Sequence, residues 1–177
     1  ANYASYVNQR NEFPLKDFVQ RTNFASRAIG YGKGAMVFHM LRTQSGDEQF
    51  FAALRDFIAA AQFRSASWDD IRTAFGRKTG KDLGAFFTEW VDGTGLPEVT
   101  VGSAKVRRKA DQFEITLGIE RKNSDLPLQL PVVVSLLRGG THRETATVDA
   151  DKKAVTLVVD DEPATAVIDG DYDVARM

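Results

Sequence analysis

Ala28-Ile29-Gly30-Tyr31-Gly32-Lys33-Gly34-Ala35-Met36-Val37-Phe38-His39-Met40-Leu41-Arg42 is the stretch on which the fold turns. Three glycines in five positions lead into a run that is apolar almost all the way round a helix. A helix without a polar face belongs in a core. Glycine lacks a Cβ, so the backbone before that helix can turn sharply and be approached closely. Tyr31 then stands where loop gives way to buried helix, held by packing yet able to point into a cleft. The plainer reading is a ring that seals the top of a core helix, since aromatic side chains are mostly packing material. Lys33 reads as a solvated lysine of the first turn. His39 reads as a buried or partly buried helix residue with one ring nitrogen satisfied by a carbonyl.

Working outward, the N-terminal side is polar, with Tyr3, Tyr6, Val7 and Phe13 as its apolar anchors. Pro14 suits the first turn of a short helix, where its missing donor costs nothing. Leu15, Phe18 and Val19 are expected to face inward from it. On the C-terminal side, Gly46 is a candidate left-handed cap. Phe50, Phe51, Leu54, Phe57, Ile58 and Ala61 then recur at helical spacing. Ser67 with Asp70 three residues on resembles a capping box, and Trp68, Ile71 and Phe75 stripe the helix that follows as far as Thr79-Gly80. Asp82 can cap one more helix, with Leu83, Phe86, Phe87, Trp90 and Val91 inward, before Gly93-Thr94-Gly95-Leu96-Pro97 ends the helical half.

Beyond Pro97 the hydrophobic period drops to two. Phe113, Ile115, Leu117 and Ile119 alternate with Glu114, Thr116, Gly118 and Glu120, which marks a strand with one wet face. Residues 130–137 are more continuously apolar, as in a strand covered on both sides. Arg138-Gly139-Gly140-Thr141 is a hairpin signal, and Asp160-Asp161-Glu162-Pro163 reads as a charged hairpin turn. With 142–149, 153–159 and 164–169 the count reaches six or seven short strands, spaced as in a sandwich. The expected architecture is α+β: a helical domain over 1–96 followed by an antiparallel β-sandwich over 97–177.

Composition narrows the function. At a net charge of −1 the chain has no electrostatic footprint for nucleic acid. No apolar run approaches the ~20 residues that cross a bilayer, so neither nucleic acid nor membrane is an expected partner. With no cysteine there is no disulfide or thiol chemistry, though this leaves the compartment open. A catalytic zinc needs three protein ligands, whereas the chain offers His39 and His142 as its histidines and no His-Glu-x-x-His. No metal or cofactor ligand is therefore expected in the chain. Asp169-Gly170-Asp171-Tyr172-Asp173 has alternating acids but lacks the distant bidentate Glu of a helix-loop-helix calcium site; a closing turn that engages Arg176 is the better reading. Arg107-Arg108-Lys109 suits a strand edge, where cations discourage unwanted pairing.

Tyr31-Gly32-Lys33-Gly34-Ala35, the apolar helix ending in Met40-Leu41-Arg42, and Gly46-Asp47-Glu48-Gln49-Phe50 together resemble the aminopeptidase N-like zinc metallopeptidases, a gluzincin family. The likeness continues through Ala66-Ser67-Trp68-Asp69-Asp70, Phe86-Phe87-Thr88-Glu89-Trp90-Val91 and Gly95-Leu96-Pro97, then more loosely through a family-type sandwich. It implies that the helical half is the tail of a thermolysin-like catalytic domain and that the parent protein hydrolyses peptides at their N-termini with zinc. It also implies that Tyr31 donates a hydrogen bond to the oxyanion of the tetrahedral intermediate. In that family the zinc ligands, the general-base glutamate and the amine-recognising acidic loop all precede the tyrosine segment. The chain alone is therefore expected to be inactive, its partners being the upstream half of the same domain and, in the parent, a peptide substrate. A piece of this kind should expose apolar helix surface and can pair with a second copy as a homodimer to cover it. Two rival readings remain open: a non-catalytic binding or scaffolding module of a metallopeptidase-like protein, and an independent helical-plus-sandwich adaptor that is a well-behaved monomer.

Overall fold

A computed structural model of the chain describes residues 3–123, 127–149 and 153–176, so Ala1 and Asn2 of the N-terminal arm lie outside the described residues. The backbone falls into two units, Ala1–Gly95 and Leu96–Met177. The first is a helical bundle and the second an antiparallel β-sandwich, an α+β fold. Among the described residues no helix is long and apolar enough to cross a membrane.

The helical unit carries α1 (Tyr3–Tyr6), a 3-10 turn (Leu15–Asp17), α2 (Phe24–Arg27), α3 (Gly34–Ser45), α4 (Asp47–Ala61), α5 (Trp68–Thr79) and α6 (Gly84–Phe87). Two π-helical segments, Ala28–Lys33 and Thr88–Asp92, complete it. The glycine-rich stretch is thus not a loop. Asn23 and Ser26 form a reciprocal capping box that starts the helical run at Phe24, satisfying donors at the helix start that no earlier turn can reach. The run then continues through the π turn into α3, with Gly34 at φ −58° and ψ −45°.

Nor is α3 buried all round. Gly34, Val37, Met40 and Leu41 face the core, while Ala35, His39 and Arg42 lie on an open side. Gly46 has a positive φ of 77° as foreseen, but its ψ of 161° lies outside the left-handed well, in a region that only glycine occupies readily. It ends α3 and at once begins α4, so the chain must turn out rather than coil back. In α4, Phe50 and Ala53 are buried, whereas Phe51 and Ile58 are 45% and 63% exposed. Leu15 packs fully, Phe18 is half-buried, and Val19 is 89% exposed rather than inward.

The bundle core is aromatic. Phe50 meets Phe75 edge-on at 5.5 Å, and Trp68 lies between Phe38 at 5.7 Å and Phe87 at 6.4 Å. Ser67 and Asp70 form the expected capping box, and Gly80 closes α5 in the left-handed conformation. Asp82 accepts the Gly84 N–H at 2.8 Å. Leu83, Phe87, Trp90 and Val91 are buried beyond it, the last two in a π turn that the spacing did not reveal.

In the second unit, β1 (Glu98–Lys109), β2 (Gln112–Lys122) and β5 (Ala154–Val159) form one antiparallel sheet in the order β1-β2-β5. β4 (Thr141–Val148), β3 (Leu128–Leu136) and β6 (Pro163–Ile168) form the other, in the order β4-β3-β6. The period-two set Ile115, Leu117 and Ile119 is buried, as are Val155, Leu157 and Val159 beside it. Leu128, Leu130, Val132 and Val134 line the facing sheet. β3 is buried on one face and half-buried on the other; it reads as doubly covered because it is the middle strand of its sheet. Gly139 and Gly140, both at positive φ, make the β3–β4 hairpin. The acidic turn 160–163 is not a hairpin, because β5 pairs with β2 and β6 with β3. It carries the chain from one sheet to the other. Arg107, Arg108 and Lys109 lie on β1, an edge strand.

Candidate functional site

The π turn 28–33 places its residues on two faces. Ile29 and Lys33, one helical repeat apart, are buried, and Tyr31 between them points out, 61% exposed. Its ring meets that of Phe18 edge-on, with centroids 5.6 Å apart and planes at 70°. Phe18 in turn fills the space where a Cβ on Gly30 would project. Of the three glycines, Gly30 is therefore the one that close approach requires; at Gly32 an added Cβ meets nothing within 4 Å. Among the described residues the Tyr31 hydroxyl has no hydrogen-bond partner. The phenol is consequently a free donor at the surface, fixed at its base by packing.

Lys33 is not the solvated lysine that its place in the first turn suggests. It is 2% exposed, and its Nζ donates to the carbonyl of Gly93 at 2.8 Å. Burial lowers its pKa from 10.5 to about 8, against the pull of Glu12 and Glu89 toward the charged form. Close by in sequence to that acid, Tyr3 donates its hydroxyl to Glu12 Oε1 at 3.2 Å. Burial first, and the Glu12 charge second, push the Tyr3 phenol well above its usual range. Sequence reasoning missed this polar cluster; its one visible signal was a lysine inside an otherwise apolar run.

His39 lies on the exposed side of α3 rather than in the core, four residues beyond exposed Ala35. His142, in β4, faces Glu144 Oε2 at 3.4 Å. The two histidines fall in separate units, and among the described residues no three His, Cys, Asp or Glu side chains come together as a metal-binding group. The Asp169 loop is a closing turn: the buried carboxylate accepts the backbone N–H of Asp173 at 2.7 Å and of Val174 at 3.2 Å, and Arg176 Nε at 2.7 Å. Its oxygens are committed to the protein itself.

Residues 9–90 match the model of the peptidase family M1 domain. Aminopeptidase N of Lactococcus lactis subsp. cremoris is 38% identical over 73 residues, 41% of this chain and 9% of that protein. Leucyl aminopeptidase of Saccharolobus solfataricus is 24% identical over 137 residues, 74% of this chain and 17% of that one. Among solved structures, aminopeptidase A of Legionella pneumophila in complex with aspartic acid superposes with a TM-score of 0.66 at 18% identity, covering 92% of this chain and 20% of its own. Over residues 9–90 the helical unit is thus similar to the peptidase family M1 domain. More particularly, the chain is aminopeptidase N-like, and it spans a fifth or less of the length of these relatives.

Proposed function

We propose that this chain belongs to a zinc-dependent aminopeptidase in which Tyr31 stabilises the oxyanion formed as a peptide bond near a substrate's N-terminus is hydrolysed. The observation that carries the reading is the exposed Tyr31 phenol, unpartnered among the described residues and held at its base by Phe18. A neutral hydroxyl placed in this way donates to an oxygen as negative charge builds there. Removing one such donor typically costs roughly a hundredfold to a thousandfold in turnover. The zinc would be held by residues outside this chain, since among the described residues no side chains gather as a ligand group, and by itself the chain would be inactive.

The open side of α3, with Ala35 and His39, and the exposed Val19, Phe24 and Phe51 support a second element of the proposal. A segment carrying the zinc site would pack on the helical unit and form the rest of the cleft around Tyr31. The sandwich would brace the assembly. The test is Tyr31→Phe in a protein that carries this chain together with a His-Glu-x-x-His segment. Turnover of an aminoacyl anilide should fall by two orders of magnitude or more, while zinc content and folding stay unchanged, as expected for a lost transition-state donor. Wild-type turnover in that variant would reduce Tyr31 to packing. A parent protein that binds no zinc and cleaves nothing would establish the scaffolding reading instead.

A further inference from the structure

π-Helical turns are rare and tend to be retained at functional sites, yet the helical unit has two, 28–33 and 88–92. They are joined. The second turn closes with the Gly93 N–H donating to Thr88 O at 2.9 Å. A Cβ on Gly93 would lie 2.7 Å from the Glu89 carbonyl oxygen and 3.2 Å from that of Thr88, so the turn needs glycine at this point. The carbonyl of the same Gly93 receives Lys33 Nζ from the first turn, sixty residues earlier in the chain.

We infer that Lys33 is a positioning residue for Tyr31: its buried ammonium, donating to the Gly93 carbonyl, ties the turn that presents the phenol to the end of the second π turn and so fixes the direction in which the phenol points. The inference rests on the proposed role of Tyr31. Its physical basis is register. An α-helix advances about 100° per residue, so a π turn that relaxed to α-helical winding would rotate Tyr31 by a comparable angle relative to the buried stripe of Gly34, Val37, Met40 and Leu41. Ile29 and Lys33 are the inward residues that resist this. Ile29 resists by packing, which is non-directional. Lys33 resists through a charge-assisted hydrogen bond, which has a fixed length and direction. An apolar side chain would fill the same slot without burying a charge, but it would not specify which turn of backbone it meets. The exposed Lys16–Asp92 pair, at 3.1 Å, also reaches the second turn, but such surface pairs contribute little.

The experiment is Lys33→Met in the 177-residue chain, read by NMR and needing no substrate. Cross-peaks between the Phe18 and Tyr31 rings should be lost, and exchange of the amides of residues 32–34 should accelerate about tenfold or more, with the rest of α3 unchanged, as for a local opening. Retention of both signals at their wild-type level overturns the inference. If the variant does not fold, the wild-type chain still decides. The Lys33 ammonium protons should exchange far more slowly than those of exposed Lys16, and equal rates would overturn the tie. In the assembled enzyme, Lys33→Met should lower kcat roughly tenfold to a hundredfold with KM within about twofold, whereas an unchanged kcat would show that the tie does not serve the reaction. Tyr31→Phe tests the underlying reading separately, because it removes the donor and leaves the Phe18 contact and the Lys33 bond in place.

Discussion

Phe18 lies edge-on to Tyr31, ring centroids 5.6 Å apart, in the space that a side chain on Gly30 would need. The 3-10 turn that ends at Asp17 thereby delivers a ring onto the π turn, and a missing methyl group is what admits it.

Two glycine substitutions separate the roles of residues that look alike in sequence. Gly30→Ala gains about 1 kcal/mol of helix propensity but drives a Cβ into the Phe18 ring. Overpacking costs about 1–3 kcal/mol, so chemical denaturation should show net destabilisation, and the Tyr31 ring signals should shift. Gly32→Ala meets nothing within 4 Å and should raise stability by about 0.5–1 kcal/mol. A stabilised Gly30→Ala chain would mean that Phe18 moves aside freely.

In the sandwich, Arg176 and Arg143 each pair with an aspartate, and burial separates them. Asp169 is fully buried and Arg176 meets it at 2.7 Å; Asp171 and Arg143 are both exposed at 3.2 Å. Arg176→Met leaves a carboxylate in the interior without its cation and should cost roughly 3–5 kcal/mol. Arg143→Met should cost less than about 1 kcal/mol. Equal effects in urea titrations would show that the backbone N–H groups of Asp173 and Val174 suffice to hold Asp169.

How much of this was legible depended on whether a feature is local. The alternation of Ile115, Leu117 and Ile119 names a strand and its wet face because side chains on a strand change face at each residue. Ser67 and Asp70 name a helix start because the bonds they make span three residues. The turn 28–33 reads as a loop in the sequence because residue identity does not record the one-residue offset between α and π winding, and three glycines suggest irregularity. Lys33 reads as solvated because its partner is sixty residues away. The acidic turn before β6 looked like a hairpin because sequence says that two strands follow one another, not which neighbours they pair with. Tyr31 stands out in the sequence by its place between two glycines, whereas its exposed hydroxyl and its contact with Phe18 depend on residues that the local pattern does not connect.

The cap of α5 gives an acid-side prediction. Asp70 accepts the Ser67 N–H at 2.8 Å and two guanidinium bonds from Arg64 at 2.8 and 3.1 Å. Arg64 first and the Ser67 backbone second hold its carboxyl well below the usual 3.8. A depressed folded pKa contributes stability that is present above about pH 4 and lost as pH falls through the folded value. Asp70→Asn should therefore flatten the acid limb of a stability–pH curve relative to wild type. Ser67→Ala should cost about 0.5–1 kcal/mol near neutral pH, since its acceptor bond to the Asp70 N–H is long at 3.4 Å, and less in acid, because its Oγ also donates to the Asp70 carboxylate at 3.1 Å and helps to hold that pKa down. An acid limb identical in Asp70→Asn would assign acid unfolding to other carboxylates.

Lys33 gives the alkaline counterpart, with the opposite sign from a paired lysine. Its folded pKa, about 8, lies below the 10.5 of the unfolded chain, so between those values the unfolded state holds more protons. Stability then rises with pH across this window, because the cost of burying an ammonium fades as the group becomes neutral. Tyr3 acts against this at the upper end. Its folded pKa is raised above the usual 10.0 of a phenol, by burial first and by Glu12 second, so above pH 10 the unfolded phenol ionises while the folded one does not, and stability falls. Wild-type stability should therefore climb from pH 8 to about 10, by on the order of 2 kcal/mol from Lys33, and then turn down. Lys33→Met should remove the climb and keep the downturn, and Tyr3→Phe should do the reverse. Urea midpoints at pH 7.5, 9, 10 and 11 for the three chains would check both arms, and a climb that survives in Lys33→Met would place the titrating group elsewhere.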